Sequence, residues 1–295
     1  MTALSRIGLL AKTGDPRARE VLARVAAALS ARGATLALES GTAKDSGLAY
    51  PAFALDVLTA RCDLLFVVGG DGTLLSAARA AAARGVPIAG LNAGRLGFLT
   101  DVTPDALEAG LAALLEGRGR AEQRTLVAAE LSRADGTRVS AGLALNDAVV
   151  QKRAAGRMIE LTTRVDGLFV CTHRADGIVV ATPTGSTAYA LSCGGPIIHP
   201  KVDALAIVPI CPHTLSDRPI VVDGGATITV SLAPGFAGSA QLTLDGQVGL
   251  EIEPGDDVTI MRADQRLTLL HPPGHDYFEV LRDKLHWGRG GAPER

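Results

Sequence analysis

No apolar run in the 295-residue chain approaches the ~20 residues that a membrane span needs. The first residues also lack the basic segment, apolar stretch and cleavage site of a secretory leader. A cytoplasmic protein without a membrane partner is the expectation. Cysteine is scarce: Cys62, Cys171, Cys193 and Cys211 are scattered, with no CxxC spacing and no clustering with the histidines. That excludes a disulfide framework and predicts reduced thiols in structural, buried positions. Lysine supplies only five of the 29 cationic residues, and the net charge is −2, so no basic field exists to attract nucleic acid. The arginine excess runs along the whole chain and makes any one arginine weakly informative. No G-x-G-x-x-G follows the first strand, where the chain reads Ala11-Lys12-Thr13-Gly14-Asp15, and no glycine loop ends in Lys-Ser or Lys-Thr. His271 and His275 lie four apart, but Pro272, Pro273 and Gly274 between them forbid the helix that would align them, which argues against a zinc pair. Internal repeats and low-complexity linkers are missing too.

What is present is a globular composition, 47% hydrophobic and 20% charged, long enough for two domains. Two periods divide it. Arg6–Leu10, Ala34–Leu38, Leu64–Val68 and Val86–Gly90 read as strands, and Pro16–Arg32, Thr73–Arg84 and Pro104–Glu116 as helices. Such alternation predicts a Rossmann-like α/β domain with a mostly parallel sheet over residues 1–120. After Arg120 the chain changes to short β-branched runs separated by Asp135-Gly136, Asp166-Gly167, Asp223-Gly224 and Asp245-Gly246. Hairpins joined by Asp-Gly turns are expected, giving an all-β, sandwich-like antiparallel domain over 121–272. One exception is Thr184–Cys193, whose opening residues suit the cap of a short helix. Tyr277–Trp287 has helical spacing and is expected to return to the first domain as part of a 273–295 segment, whose tail Gly288–Arg295 is polar and frayed.

Gly69-Gly70-Asp71-Gly72-Thr73 carries the first chemical signal. It follows the apolar run Leu64–Val68 and precedes a helix, so glycines let backbone approach an anion while the helix start offers N–H groups and a positive dipole end. Asp71 would repel a phosphate unless a metal lies between them, or unless it takes a proton from a hydroxyl being phosphorylated. An ordinary tight turn between strand and helix would carry the same five residues.

Further along, Arg174–Tyr189 runs as a strand into a loop crowded with hydroxyls, from Thr182 to Thr187, with Tyr189 offering an aromatic face. The loop either reads the edge of a base or caps a helix with Tyr189 in the core. Gly194–Pro200 follows as a tight packed turn. Asn146-Asp147 interrupts an apolar strand, so the pair either lies at an edge or bulge or faces a ligand. A carboxylate beside an amide suits the two hydroxyls of a ribose. Asn92–Phe98 lies just past another strand of the first domain, where it could form a second wall of the same cleft, and Phe98 either stacks on a base or fills the core.

Together these segments resemble the NAD kinase family. The resemblance rests on Gly69–Thr73, Asn92–Phe98, Asn146-Asp147, Asp176–Pro200, His213–Pro219 and Asp245-Gly246-Gln247, which span most of the chain in the family's order. It implies transfer of the ATP γ-phosphoryl group to the 2′-hydroxyl of the adenosine ribose of NAD, with magnesium, in a cleft between two domains. Under the same resemblance Asp71 activates or orients the hydroxyl, and Gly70, Gly72 and Thr73 bring donors to the phosphates. Asn146 and Asp147 become ribose ligands, with Asp147 where glutamate is commoner. Arg174, Asp176, Thr184, Thr187, Ala188, Tyr189, Gln247 and Phe98 fall among the NAD and ATP contacts, and Arg174 is similar to the arginine of members that prefer NAD to NADH. No dedicated metal site is implied beyond Asp71. His213 and its neighbours resemble a segment near a subunit contact, so a homo-oligomer, dimer or tetramer, is expected. The rivals are a lipid or sugar kinase sharing the glycine turn, a non-catalytic NADP sensor, and a dehydrogenase.

Overall fold

The structure is a computed structural model and describes residues 4–94, 97–100, 102, 107–153, 158–214, 216–233 and 240–287. Its contacts define two units, Met1–Gln123 with Leu267–Arg295, and Arg124–Arg266. In the first, β1 (Arg6–Ala11), α1 (Pro16–Ser30), β2 (Thr35–Glu39), α2 (Ser40–Ser46), β3 (Ala52–Phe53), α3 (Leu55–Thr59), β4 (Leu64–Gly69), α4 (Asp71–Arg84), β5 (Ile88–Asn92) and α5 (Leu107–Leu115) follow one another. The strands pair in parallel in the order β5-β4-β1-β2-β3. β4 is buried at every residue, as a run covered by helices on both faces must be.

Local chemistry sets the helix ends. Pro16 opens α1 behind Asp15, whose carboxylate accepts from Arg17 N–H, a cap that contributes about 1 kcal/mol. Glu39 caps α2 through Gly41 and Thr42. The helix α4 starts at Asp71, two residues before the Thr73 expected from sequence, because Gly70 in extended conformation serves as its N-cap without any side chain. The two-residue β3 and the short α2 and α3 escape a reading based on apolar periodicity, since each holds at most two buried residues. The prediction for Asn92–Phe98 falls partly on residues 95–96, that for the α5 start on 103–106, and the tail prediction on 288–295. Those residues lie outside the described ones.

Antiparallel ladders build the second unit. β6 (Arg120–Ser132), β7 (Arg138–Ala144), β8 (Asp147–Lys152), β9 (Ile159–Val165), β10 (Leu168–Ala175), β11 (Gly177–Ala181), α6 (Tyr189–Ser192), β12 (Ala204–Ile210), β13 (Ile220–Asp223), β14 (Ile228–Leu232), β15 (Ala240–Leu244) and β16 (Val248–Ile252) lead to β17 (Asp257–His271). One layer has the order β13-β12-β11-β8-β15-β16. In the other, β9 lies between β10 and β14, and β14 pairs with β17 at Asp257–Ile260. Val150, Val180 and Leu242 from the first layer pack with Leu161, Val230 and Val258 from the second in one apolar core, which is the sandwich expected from the alternation of inward and outward residues.

Three of the four Asp-Gly turns join hairpins: β6 to β7, β9 to β10 and β15 to β16. Asp223-Gly224 does not. β13 pairs with β12 in one layer while β14 pairs with β9 and β17 in the other, so this turn crosses between layers, and the Asp223 carboxylate closes it by accepting from Gly225 N–H. The Thr184–Cys193 helix is shorter than expected: a 3₁₀ turn at Gly185–Thr187 precedes α6, and Thr184 makes no side-chain cap. The final segment forms α7 (Tyr277–Leu285), capped by Asp276, and belongs to the first unit with the end of β17, where Leu269 pairs in parallel with Ile88.

Candidate active site

In the first unit β1 leads outward to β2 and β3 on one side, and β4 and β5 lie on the other. The sheet therefore reverses direction between β1 and β4, and ligands of open α/β sheets bind beyond the strand ends at that point. Gly69–Thr73 occupies it. Gly70 and Gly72 are exposed, a side chain on either would meet nothing within 4 Å, and the helix start has no side-chain cap. Open space thus lies beside both glycines at the positive end of α4, an arrangement that suits phosphate oxygens.

Asp71 is held in place rather than merely present. Phe98 N–H donates to its Oδ2 at 3.0 Å, Leu99 N–H donates to Oδ1 at 3.1 Å, and the Thr100 hydroxyl donates to Oδ1 at 3.4 Å. A Cβ on Gly97 would overlap Asp71 Oδ1 and Thr100 Oγ1, so only glycine lets the loop close over this carboxylate. Phe98 is half-buried and contributes its backbone to Asp71. Thr73 is half-buried too, and its carbonyl accepts from Ser76 Oγ.

The second unit contains a cavity of about 410 Å³ that brings together Asn146, Asp147, Ala188 and Tyr189, four of the residues singled out from sequence, with Val149, Gln151, Thr243, Asp245 and Gly246. Asp245 organises it. Its carboxylate accepts from the backbone N–H groups of Leu145 at 3.0 Å, Asn146 at 2.7 Å and Asp147 at 3.4 Å. It sits in the left-handed region at φ 51 beside Gly246, a conformation aspartate tolerates in tight turns. Asp147 itself is 4% exposed, and burial, then the nearby Asp245 charge, push its carboxyl up to about 7. A carboxyl near that value both donates and accepts hydrogen bonds around neutral pH. Sequence reasoning treated Asp245 and Gly246 mainly as a hairpin turn, and the hairpin signal hid their part in the wall.

Several other residues serve the loop instead of lining the cavity. Thr182 Oγ1 donates to Leu145 carbonyl at 2.6 Å, and Ser186 Oγ donates to Pro183 carbonyl and accepts from Ile198 N–H. Thr184 is buried, with Arg124 Nη1 donating to its hydroxyl at 3.4 Å, and Thr187 donates to the Thr184 carbonyl. Gly185 passes so close to Asn146 that a Cβ would overlap its carbonyl oxygen. The hydroxyl-rich run thereby fixes Ala188 and Tyr189 against Asn146. Arg174 pairs with Glu160 at 2.8 Å, and Asp176 with Lys152 at 2.5 Å. Gln247 is exposed, and its N–H donates to the Leu244 carbonyl to close the β15–β16 turn.

The thiols depart from expectation. Cys62 is buried, but Cys171 and Cys193 are only half-buried and Cys211 is exposed. Cys171 also meets a histidine, in a group with His173 and Asp217. His271 and His275 stack with ring centroids 3.9 Å apart near Glu122; the turn at Gly274, with φ 87, achieves what a helix could not. Among the described residues neither metal-competent group includes Asp71. Asp71 Oδ2 accepts a single hydrogen bond and keeps a lone pair, which fits a magnesium held mainly by phosphate and water oxygens with a single protein carboxylate, and does not fit an all-protein cage.

A parallel-sheet switch point with an uncapped helix start and an anchored aspartate, in a chain whose other unit holds a cavity lined by Asn146, Asp147 and Tyr189, is the arrangement of a phosphotransferase. The profile of the ATP-NAD kinase N-terminal domain matches residues 7–119, and that of the ATP-NAD kinase C-terminal domain residues 145–271. An NAD kinase of Chromohalobacter salexigens is 45% identical over 290 residues, covering 97% of this chain and 98% of its own. The yeast NADH kinase crystallised with NADH shares the fold, with a TM-score of 0.90 at 23% identity, covering 100% of this chain and 91% of that one. An Archaeoglobus fulgidus NAD kinase in complex with ATP has a TM-score of 0.76 at 29% identity, covering 95% and 98%. The chain belongs to the NAD kinase family, and it is a kinase enzyme with that activity.

Proposed function

We propose that the protein transfers the γ-phosphoryl group of ATP to the 2′-hydroxyl of the adenosine ribose of NAD, with magnesium, giving NADP and ADP. The observation that carries this reading is Asp71, a carboxylate fixed by Phe98 and Leu99 N–H groups beside the exposed start of α4. In the reaction the bond from the ribose oxygen to the γ-phosphorus forms, the bridge to the β-phosphate breaks, and the hydroxyl proton passes to Asp71. Such a transfer asks the protein for positioning and charge stabilisation rather than covalent chemistry. The Gly70 and Gly72 amides hold phosphate oxygens, while the Thr73 amide closes the first turn of α4 on the Gly70 carbonyl. Asp71 would also be the carboxylate that meets magnesium before it takes the proton, and the ion would neutralise the phosphate charge.

Asn146 and Asp147 take the ribose hydroxyls and Tyr189 stacks on the base, a role supported by its partial exposure at the cavity wall. Among the described residues no helix is long and apolar enough to cross a membrane, and we place the enzyme in the cytoplasm. A homo-oligomer, dimer or tetramer, fits the exposed apolar residues Leu168, Phe169 and Val221 on β10 and β13. The test is incubation of the purified protein with NAD, ATP and magnesium, reading NADP with an NADP-specific dehydrogenase. NADP formation is expected; its absence, with phosphorylation of a diacylglycerol or sphingoid base instead, overturns the assignment.

A further inference from the structure

The group formed by Cys171, His173 and Asp217 lies outside everything the phosphoryl transfer uses. Cys171 and His173 are two residues apart on β10, so both side chains leave the same face of the strand. The register of β10 against β9 shifts between Phe169 and Cys171, a bulge of the kind that re-aims side chains next to sites. Asp217 comes from the segment before β13, which His213 pins to β10 by donating its N–H to the Arg174 carbonyl at 2.9 Å.

His173 Nδ1 and Asp217 Oδ2 are 3.1 Å apart, with each side chain 8% exposed. Sulfur, nitrogen and oxygen all lie within 4.8 Å of one another, and a small closure reaches the about 3.3–3.8 Å edges of a tetrahedral zinc site with bonds of about 2.0–2.3 Å. A carboxylate this buried requires a positive partner. The three groups also line a cavity of about 190 Å³ whose other walls include Val170, Ile207 and Pro209.

We propose that Cys171, His173 and Asp217 bind a divalent cation of the zinc class, with the fourth coordination position open to this cavity. A thiolate, an imidazole and a carboxylate form a donor set that suits zinc or cobalt and disfavours magnesium or calcium. Three protein ligands with one open position is the pattern of accessible rather than purely structural zinc. Binding replaces the thiol proton by the metal and releases it to solvent, while His173 coordinates as the neutral ring. The ion ties β10 to Asp217, ahead of β13.

The experiment titrates cobalt(II) into the full-length protein after chelator treatment and buffer exchange. One equivalent is expected to produce a thiolate-to-cobalt charge-transfer band in the near ultraviolet and intense four-coordinate visible bands, both abolished by zinc. Cys171→Ser should lose the charge-transfer band and Asp217→Asn should weaken binding at least about tenfold, whereas Cys211→Ser retains both signals. Far-ultraviolet circular dichroism identifies the variants that fold. No band in the wild type overturns the proposal, as does a band that survives Cys171→Ser or depends on His271. The kinase assay with magnesium is independent of these outcomes, so failure here leaves the phosphoryl-transfer reading intact.

Discussion

The two units each place an aspartate clasped by backbone N–H groups at a turn, and they use it differently. In the first, Asp71 is the clasped group and is itself the carboxylate set at the start of α4. In the second, Asp245 is clasped by Leu145, Asn146 and Asp147 N–H groups, and its charge acts on a neighbour, Asp147, whose carboxyl is driven up to about 7 by burial and by Asp245. One clasp presents a carboxylate; the other adds to the burial that raises a second carboxyl to about 7. Short polar residues that look interchangeable in a turn therefore acquire opposite chemistry from what they are packed against.

The sharpest way to break this comparison is Asp71→Asn. It preserves size and one acceptor oxygen, and removes the charge and the proton acceptor. The rate is expected to fall by about 10²–10⁴-fold with NAD binding retained, measured by steady-state kinetics beside calorimetric titration. Unchanged turnover removes Asp71 from the chemistry. Asp245→Ala comes next, because it leaves the Leu145 and Asn146 donors without their acceptor. Each such loss costs about 1–3 kcal/mol, so the melting temperature should drop clearly and the Michaelis constant for NAD rise. Asp245→Asn keeps part of the clasp while deleting the charge, and the Asp147 carboxyl should then titrate lower, read from its side-chain carbon resonance. An unmoved titration shows that burial alone sets it.

The pH dependence of stability gives a smaller and more specific test. Asp147 binds its proton more tightly folded than unfolded, where the ordinary value is 3.8. A raised carboxyl favours the folded state fully below that unfolded value and loses the advantage as pH rises to about 7. Asp147→Asn has no charge to bury, so its melting temperature should match the wild type near pH 4 and exceed it at pH 8 by the widest margin. A constant difference across that range would show that packing, not ionisation, separates the two.

Much of the architecture was legible because it rests on period. The parallel strands β1, β2, β4 and β5 are apolar runs, and Asp135, Asp166 and Asp245 each precede a glycine at a true hairpin. Asp223-Gly224 misled because dipeptide chemistry specifies a turn and not the layer its flanking strands join. At the site, Asn146 and Asp147 could be singled out as a polar pair interrupting an apolar strand, and Tyr189 as an aromatic ring beside a hydroxyl-rich loop. Asp245 as an organiser could not, since its three acceptor bonds reach residues about a hundred positions away. The Cys171 group was equally hidden: Asp217 is 44 residues from His173, and no spacing rule links a strand thiol to a loop carboxylate.

The weakest expected effect belongs to Arg174, which shares β10 with Cys171 and His173 but faces away from them. Its guanidinium pairs with Glu160 across the β9–β10 ladder, with the two side chains 69% and 43% exposed. Solvent screens such a pair to about 0–1 kcal/mol, and Arg174 does not line the 410 Å³ cavity. Arg174→Ala should therefore change the melting temperature by no more than a few degrees and leave the Michaelis constant for NAD within about threefold, a change worth less than about 1 kcal/mol. A rise of tenfold or more, or an altered preference between NAD and NADH, would instead bring this arginine to the nucleotide and extend the binding surface beyond the clasped turn at Asp245.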